Sequence, residues 1–173
     1  MIKSGQMQRK GFSIMELVVV LAIVGILGIF AFLALDPYKG IKLDAGAQKV
    51  AADLQYARNL ALSTAKWVGV SFEVDPVNTY RVFEADDTGD TIIENPSALG
   101  KPFVVDIEDF YDGIIITQVN CGGGSKMVFH PLGIPYTDRN GSQIAGASVI
   151  TLSYRGVTRE VRVTPNTGRI EVQ

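Results

Sequence analysis

Scarce residue types narrow this chain first. A single cysteine, Cys121, stands in 173 residues, so no intramolecular disulfide can form even in an oxidising compartment. Beside three glycines it reads as a loop residue, with a dimerising thiol as the alternative. His130 is the only histidine and is followed by Pro131, which leaves no Cys/His spacing for zinc. There is no Gly-x-Ser-x-Gly elbow and no Walker loop. Hydrolase, zinc and nucleotide chemistries lack their parts, so neither catalysis nor a cofactor is expected.

Charge is absent over a long stretch near the amino end. Residues 17–35 contain no charged side chain, and the one carboxylate at their edge is Glu16. Nineteen residues at ~1.5 Å each reach roughly 28 Å, against a hydrocarbon core of ~30 Å, so a single membrane crossing is expected. Lys3, Arg9 and Lys10 precede it with no acidic residue before Phe12, which keeps the amino end cytoplasmic and sends the bulk of the chain outward. A carboxylate near mid-bilayer costs on the order of 2.5 to 3.5 kcal/mol, so Glu16 calls for a partner. The plainer alternative is a Glu snorkelling from an ordinary signal anchor.

The run Lys10-Gly11-Phe12-Ser13-Ile14-Met15-Glu16-Leu17, continued by the apolar segment, resembles the class III leader of type IV pilins and type II secretion pseudopilins. The resemblance implies cleavage after Gly11 by a prepilin peptidase and N-methylation of Phe12, with Glu16 as the assembly residue. The chemistry of these residues agrees. Gly11 passes extended through a cleft without a side chain, and Phe12 gives the new terminus an apolar body at the membrane face. Its amine, on an adjacent subunit, can neutralise Glu16, and breaking such a buried pair costs ~3 to 5 kcal/mol.

Beyond the apolar run, Asp36-Pro37-Tyr38-Lys39-Gly40 is expected to break or kink the helix. A second helix is expected over 43–67, with Ala47, Val50, Ala51, Leu54, Ala57, Ala61 and Leu62 as its apolar stripe and Lys49, Asp53 and Lys66 outside it. Arg58 is expected to cap the helix or join an ion pair. Alternation then replaces helical spacing: Val68, Val70, Phe72 and Val74 share a face, residues 75–78 turn, and 79–85 return as a hairpin. Further strands are expected over 103–107, 113–119, 126–130, 148–154, 158–163 and 169–172, separated by Gly- and Pro-bearing turns. The fold class is α+β, a long N-terminal helix packed on an antiparallel sheet. The expected domains are a leader over 1–11, a transmembrane helix over 12–35, an amphipathic extension over 36–66 and a β-rich periplasmic domain over 67–173.

Residues 50–62, the Met127-Val-Phe-His-Pro-Leu-Gly133 run and the Val161-Arg-Val-Thr-Pro-Asn-Thr-Gly-Arg-Ile170 run resemble the H-type minor pseudopilins of type II secretion and the FimT- and FimU-like minor pilins. What that implies is a subunit of a short periplasmic filament. Its partners would be other pseudopilins or pilins, the prepilin peptidase and an inner-membrane assembly platform. A pilus subunit acting in initiation or DNA uptake is the alternative.

Charge is unevenly spread: eleven acidic residues face two basic ones between Glu73 and Asp112, whereas six basic face three acidic from Lys126 onward. Asp86, Asp87 and Asp90 have the oxygen density of a calcium loop but lack EF-hand spacing, so a polar hairpin tip is preferred. Arg155, Arg159, Arg162 and Arg169 on neighbouring expected strands are candidates for a DNA-facing patch, mixed with Glu160 and Glu171.

Overall fold

The computed structural model describes residues 13–33 and 36–173, with side chains over 13–29 and from 40 onward. Lys10, Gly11 and Phe12 lie outside the described residues, as do Ala34 and Leu35. The chain divides into two compact units at Pro37 and Tyr38.

The first unit is carried by helix α1, Ile14–Leu33. Ser13 opens it: its hydroxyl oxygen accepts from the Met15 N–H at 3.3 Å, and its carbonyl accepts from Glu16 at 3.0 Å and Leu17 at 3.1 Å. That is N-cap geometry, in which a short polar side chain satisfies an orphan donor. The large apolar side chains over 14–29 are exposed on every side, from 47% at Val20 to 83% at Ile14. A helix apolar all round has to be covered by lipid or by other helices. Among the described residues no helix is long and apolar enough to cross a membrane. The described apolar face over 14–29 reaches roughly 24 Å against ~30 Å of hydrocarbon, and the span expected over 12–35 extends beyond it at both ends.

Helix α2, Asp36–Thr64, begins earlier than residue 43 and runs through Pro37 and Gly40 without the expected break there. Proline is tolerated in a first turn because its missing N–H has no intrahelical partner in that position. The helix stops where Ala65 turns left-handed at φ 55°, and the Ser63 and Thr64 hydroxyls donate back to the Leu60 carbonyl at 3.2 and 2.7 Å. Its buried face is Leu43, Ala47, Val50, Ala51, Leu54, Ala57 and Ala61. Four of those seven are alanines, so the buried face of the helix is shallow. Leu62, placed in the stripe from sequence, is 44% exposed.

The helix packs on two antiparallel sheets, where one was expected. The first contains β1 (Val68–Glu73), β2 (Thr79–Asp86), β3 (Gly89–Ile92), β4 (Val104–Asp106), β6 (Lys126–Phe129) and β7 (Pro135–Tyr136). Its order is β3-β2-β1-β6-β7, with β4 also pairing β2. The second contains β5 (Ile115–Asn120), β8 (Ser148–Tyr154), β9 (Val157–Val163) and β10 (Ile170–Val172), in the order β10-β9-β8-β5. A four-residue helix α3, Ile107–Phe110, follows β4, and Asp106 caps it by accepting from the Glu108 N–H. Central strand β1 buries Val68, Val70 and Phe72, while Val74 lies past its end and is 41% exposed.

Asn78 stitches the sheets together. It is buried in a left-handed turn between β1 and β2. Its side-chain oxygen accepts from the Ile116 N–H on β5 at 3.0 Å, its carbonyl accepts from Ile107, and the Asp75 N–H donates to the Ile116 carbonyl. One apolar core spans both layers, from Leu43 and Leu54 through Phe72, Tyr80 and Phe129 to Ile150, Leu152 and Val161.

Candidate functional site

Glu16 occupies the first turn of α1, two residues past Ile14 and exposed. A carboxylate there faces the positive end of the helix dipole, an interaction worth ~0.3 to 1 kcal/mol. Gly11, the expected cleavage position, and Phe12, the expected new terminus, fall outside the described residues.

In the second unit, three sequence motifs meet at one guanidinium. Arg58 on α2 donates through Nε to the Gly133 carbonyl at 3.3 Å and through Nη2 to the Thr167 carbonyl at 3.0 Å. It neither caps the helix nor pairs with a carboxylate among the described residues, which corrects the expectation: its partners are backbone oxygens from the His-Pro-Leu-Gly133 turn and the Pro-Asn-Thr-Gly168 turn. Both glycines are left-handed, at φ +77° and +63°, and a Cβ on Gly168 would overlap the Gly133 carbonyl and stand 3.0 Å from Arg58 Nε. Only glycine allows the two turns to close on the arginine. Beside this junction Gln55, Arg58, Asn59, Thr167 and Arg169 line an open cleft of about 420 Å³.

A second polar cluster ties α2 to β2. Asp53 was placed outside the stripe, yet it is buried. It follows Val50 by three residues and precedes Ala57 by four, a spacing that puts it on the packed face. The Tyr80 hydroxyl donates to it at 2.6 Å, and the Lys49 ammonium reaches the same oxygen at 2.5 Å. Burial, reinforced by the neighbouring Asp53 charge, pushes the Tyr80 hydroxyl far above the usual phenol range and keeps it protonated as a donor.

The acidic hairpin is a turn with its charges answered locally. Asp86 accepts from the Thr88 hydroxyl, the Thr88 N–H and the Gly89 N–H. These bonds, led by the Thr88 hydroxyl, hold its carboxyl below the usual range. Asp87 pairs with Arg139 at 2.9 Å, and Lys126 bridges Asp90 at 2.7 Å and Asp138 at 3.1 Å. Partial burial opposes the charge on Lys126, but the bonds to Asp90 and Asp138 prevail and raise its pKa. Among the described residues no group of His, Cys, Asp and Glu is arranged to hold a metal ion.

The four carboxy-terminal arginines do not form a free cationic surface. Arg159 pairs with Asp44 of α2 at 2.5 Å, Arg162 with Glu160 at 2.9 Å and Arg169 with Glu171 at 2.6 Å. Arg155 lies in the β8–β9 turn in left-handed conformation, its guanidinium 5.4 Å from the Tyr154 ring centroid. Cys121 lies just past β5, in a turn closed by an isolated bridge to Gly124, and its thiol is buried. It is 1% exposed, and burial pushes its thiol up to about 12, with the Ser148 hydroxyl only partly offsetting the shift. His130 accepts at Nδ1 from the Leu132 N–H and packs against Trp67 and Tyr136 at 4.6 and 5.8 Å between ring centroids.

Arg58 and the two turns it holds lie within a single family match. Residues 46–168 match the family described as type II transport protein GspH. The chain belongs to the GspH family.

Residues 6–32 match the prokaryotic N-terminal methylation motif. The fold of this GspH-family chain is similar to that of the type IV minor pilin FimU of Pseudomonas aeruginosa, with a TM-score of 0.51 and 14% identity over 78% of this chain and 90% of that one. It is also similar to the minor pseudopilin EpsH of the Vibrio cholerae type 2 secretion system, with a TM-score of 0.57 and 12% identity over 76% of this chain and 96% of that one. At such identities the likeness is one of fold. No curated protein matches by sequence. GspH-family membership makes this an α+β, pilin-like subunit that assembles with other pilin-like subunits in a filament.

Proposed function

We propose that this chain is a minor pseudopilin of a type II secretion filament, anchored by its amino-terminal helix with the globular domain facing the periplasm. It enters the inner membrane once with its amino end inward, is cut after Gly11 by the prepilin peptidase, and is methylated on Phe12. It is then handed by the inner-membrane assembly platform to a filament of other pseudopilins. The observation that carries this reading is the joint presence of a methylation motif over 6–32 and a GspH match over 46–168.

The exposure of every large apolar side chain over 14–29 supports a helix whose faces are meant for lipid first and neighbouring helices later. In that bundle Glu16 takes the methylated amine of an adjacent Phe12 as its partner. A subunit added out of register leaves the carboxylate bare, at a cost of ~3 to 5 kcal/mol. The division into a leader over 1–11, a span over 12–35, an extension over 36–66 and a domain over 67–173 belongs to the same proposal.

A FimU-like pilus role shares the fold, but a DNA-uptake surface finds less support, because Arg159 is held by Asp44 of α2 and Arg162 by Glu160. The test is Glu16→Ala in cells that assemble the filament. Processing is expected to continue while incorporation falls, and wild-type incorporation would remove Glu16 from the assembly role.

A further inference from the structure

The cleft beside Arg58 has a feature that the packing of the domain does not use. A partly buried guanidinium ordinarily lies against a carboxylate, because desolvating a charge is expensive unless it is paired. Arg58 is held by two carbonyl oxygens instead, and among the described residues no carboxylate pairs with it. Carbonyl dipoles orient the group but leave its net charge in place.

Gln55 and Asn59, both exposed on the same side of α2, bring amide donors to the cleft. Arg169 stands at its rim with a side chain 74% exposed. Its pair with Glu171 is a surface pair, worth ~0 to 1 kcal/mol and easily exchanged. All the ionisable side chains lining this cleft are cationic.

We propose that this cleft is a docking socket for an acidic side chain of the next subunit in the filament, with Arg58 as the central charge and Gln55, Asn59 and Arg169 around it. The proposal rests on the filament-subunit reading. Charge complementarity is available within the fold itself, since Glu108 and Asp109 of α3 are exposed and pair with no cation among the described residues. The Arg58 geometry also preorganises the donor, because both turns that flank it fix the guanidinium before a partner arrives.

The test keeps Arg58 intact, because its removal would also release two turns. Asn59→Lys or Gln55→Lys in the full-length chain, in assembled filaments, places an amine in the cleft. A water-soluble carbodiimide activates a touching carboxylate; the amine displaces the urea to leave an amide, and the water lost in forming that amide is taken up by the carbodiimide. A cross-link to an Asp or Glu of another subunit, mapped by mass spectrometry, is expected from positions 55 and 59 and not from Gln48→Lys elsewhere on the helix. A link only within the chain, or equal linking from position 48, would overturn the proposal.

Asn59→Glu supplies an internal counter-ion and is expected to lower incorporation about tenfold without lowering the unfolding midpoint. Unchanged incorporation overturns the socket, and so does retention of duplex DNA by the wild-type chain that Asn59→Glu abolishes, which would assign the cleft to phosphate. Failure of the wild-type chain to be cut after Gly11 or to enter filaments would instead strike the filament reading itself.

Discussion

Replacing Gly168 by alanine tests the Arg58 junction at its tightest point. The residue is left-handed at φ +63°, which costs an L-residue roughly 1 to 2 kcal/mol. Its new Cβ would overlap the Gly133 carbonyl, a backbone atom that cannot swing aside, and would press on Arg58 Nε and Cδ at 3.0 and 3.2 Å. The two turns must part, and the Arg58 bonds to Gly133 and Thr167 lengthen or break, each a charged bond worth ~1.5 to 3 kcal/mol. A loss of about 3 kcal/mol or more is expected. Two other glycines separate the contributions. Gly156→Ala has the strain, at φ +84°, with nothing within 4 Å, and is expected to cost about 1 kcal/mol. Gly146→Ala has neither a left-handed φ nor a neighbour and is expected to cost about 0.5 kcal/mol or less. The assay is urea unfolding of the full-length chain in detergent, read by Trp67, the only tryptophan, whose ring packs on His130 next to the same turn. If Gly168→Ala is no less stable than Gly156→Ala, the close approach of the two turns to Arg58 is not what holds them.

Other perturbations reach separate parts of the domain. Tyr80→Phe removes the hydroxyl that bonds buried Asp53 and is expected to lower stability by about 1 to 3 kcal/mol in the same unfolding assay, with no loss counting against a buried network. Asp86 and Asp138 have lowered carboxyl pKa values, Asp86 chiefly through the Thr88 hydroxyl and Asp138 through the Arg139 N–H. Their contribution is therefore full above the unfolded value of about 3.9 and is lost as pH falls through the lower folded values. Amide exchange at Thr88, Gly89 and Arg139 should accelerate only below about pH 4, after correction for intrinsic rates, and loss of protection at pH 6 would contradict this. Cys121, with its thiol pushed up to about 12, is expected to alkylate at pH 8 roughly a thousandfold more slowly in the native chain than in urea. Comparable rates would mean that the thiol is accessible.

The fold class was legible because the two periods are clean. The buried residues Ala47, Val50, Ala51, Leu54, Ala57 and Ala61 of α2 recur at three- and four-residue intervals, and β8 alternates buried and half-buried positions along its whole length. Asp53 could have been found from spacing alone, since it sits between Val50 and Ala57 on the packed face; its charge argued for solvent, and only Tyr80 and Lys49 explain its burial. Strand β3 gave no signal because Gly89–Ile92 is exposed throughout and contains no alternation. Two-residue β7 begins with a proline at a sheet edge, where a missing donor is harmless. The division into two sheets is set by which strands pair across the chain, which local pattern does not encode. Arg58 was visible as a charge on the helix, but its partners are carbonyl oxygens 75 and 109 residues away. Backbone acceptors carry no residue-type signature; the only trace in sequence was a glycine closing each of two proline-containing turns.

The central claim concerns chemistry at the amino terminus, and the mass of the mature chain isolated from membranes tests it most directly. A chain beginning at Phe12 with one methyl group on its amine is the expected result. A chain that still begins at Met1 in cells with an active prepilin peptidase would contradict the pseudopilin account at its foundation, whatever the fold of the globular domain.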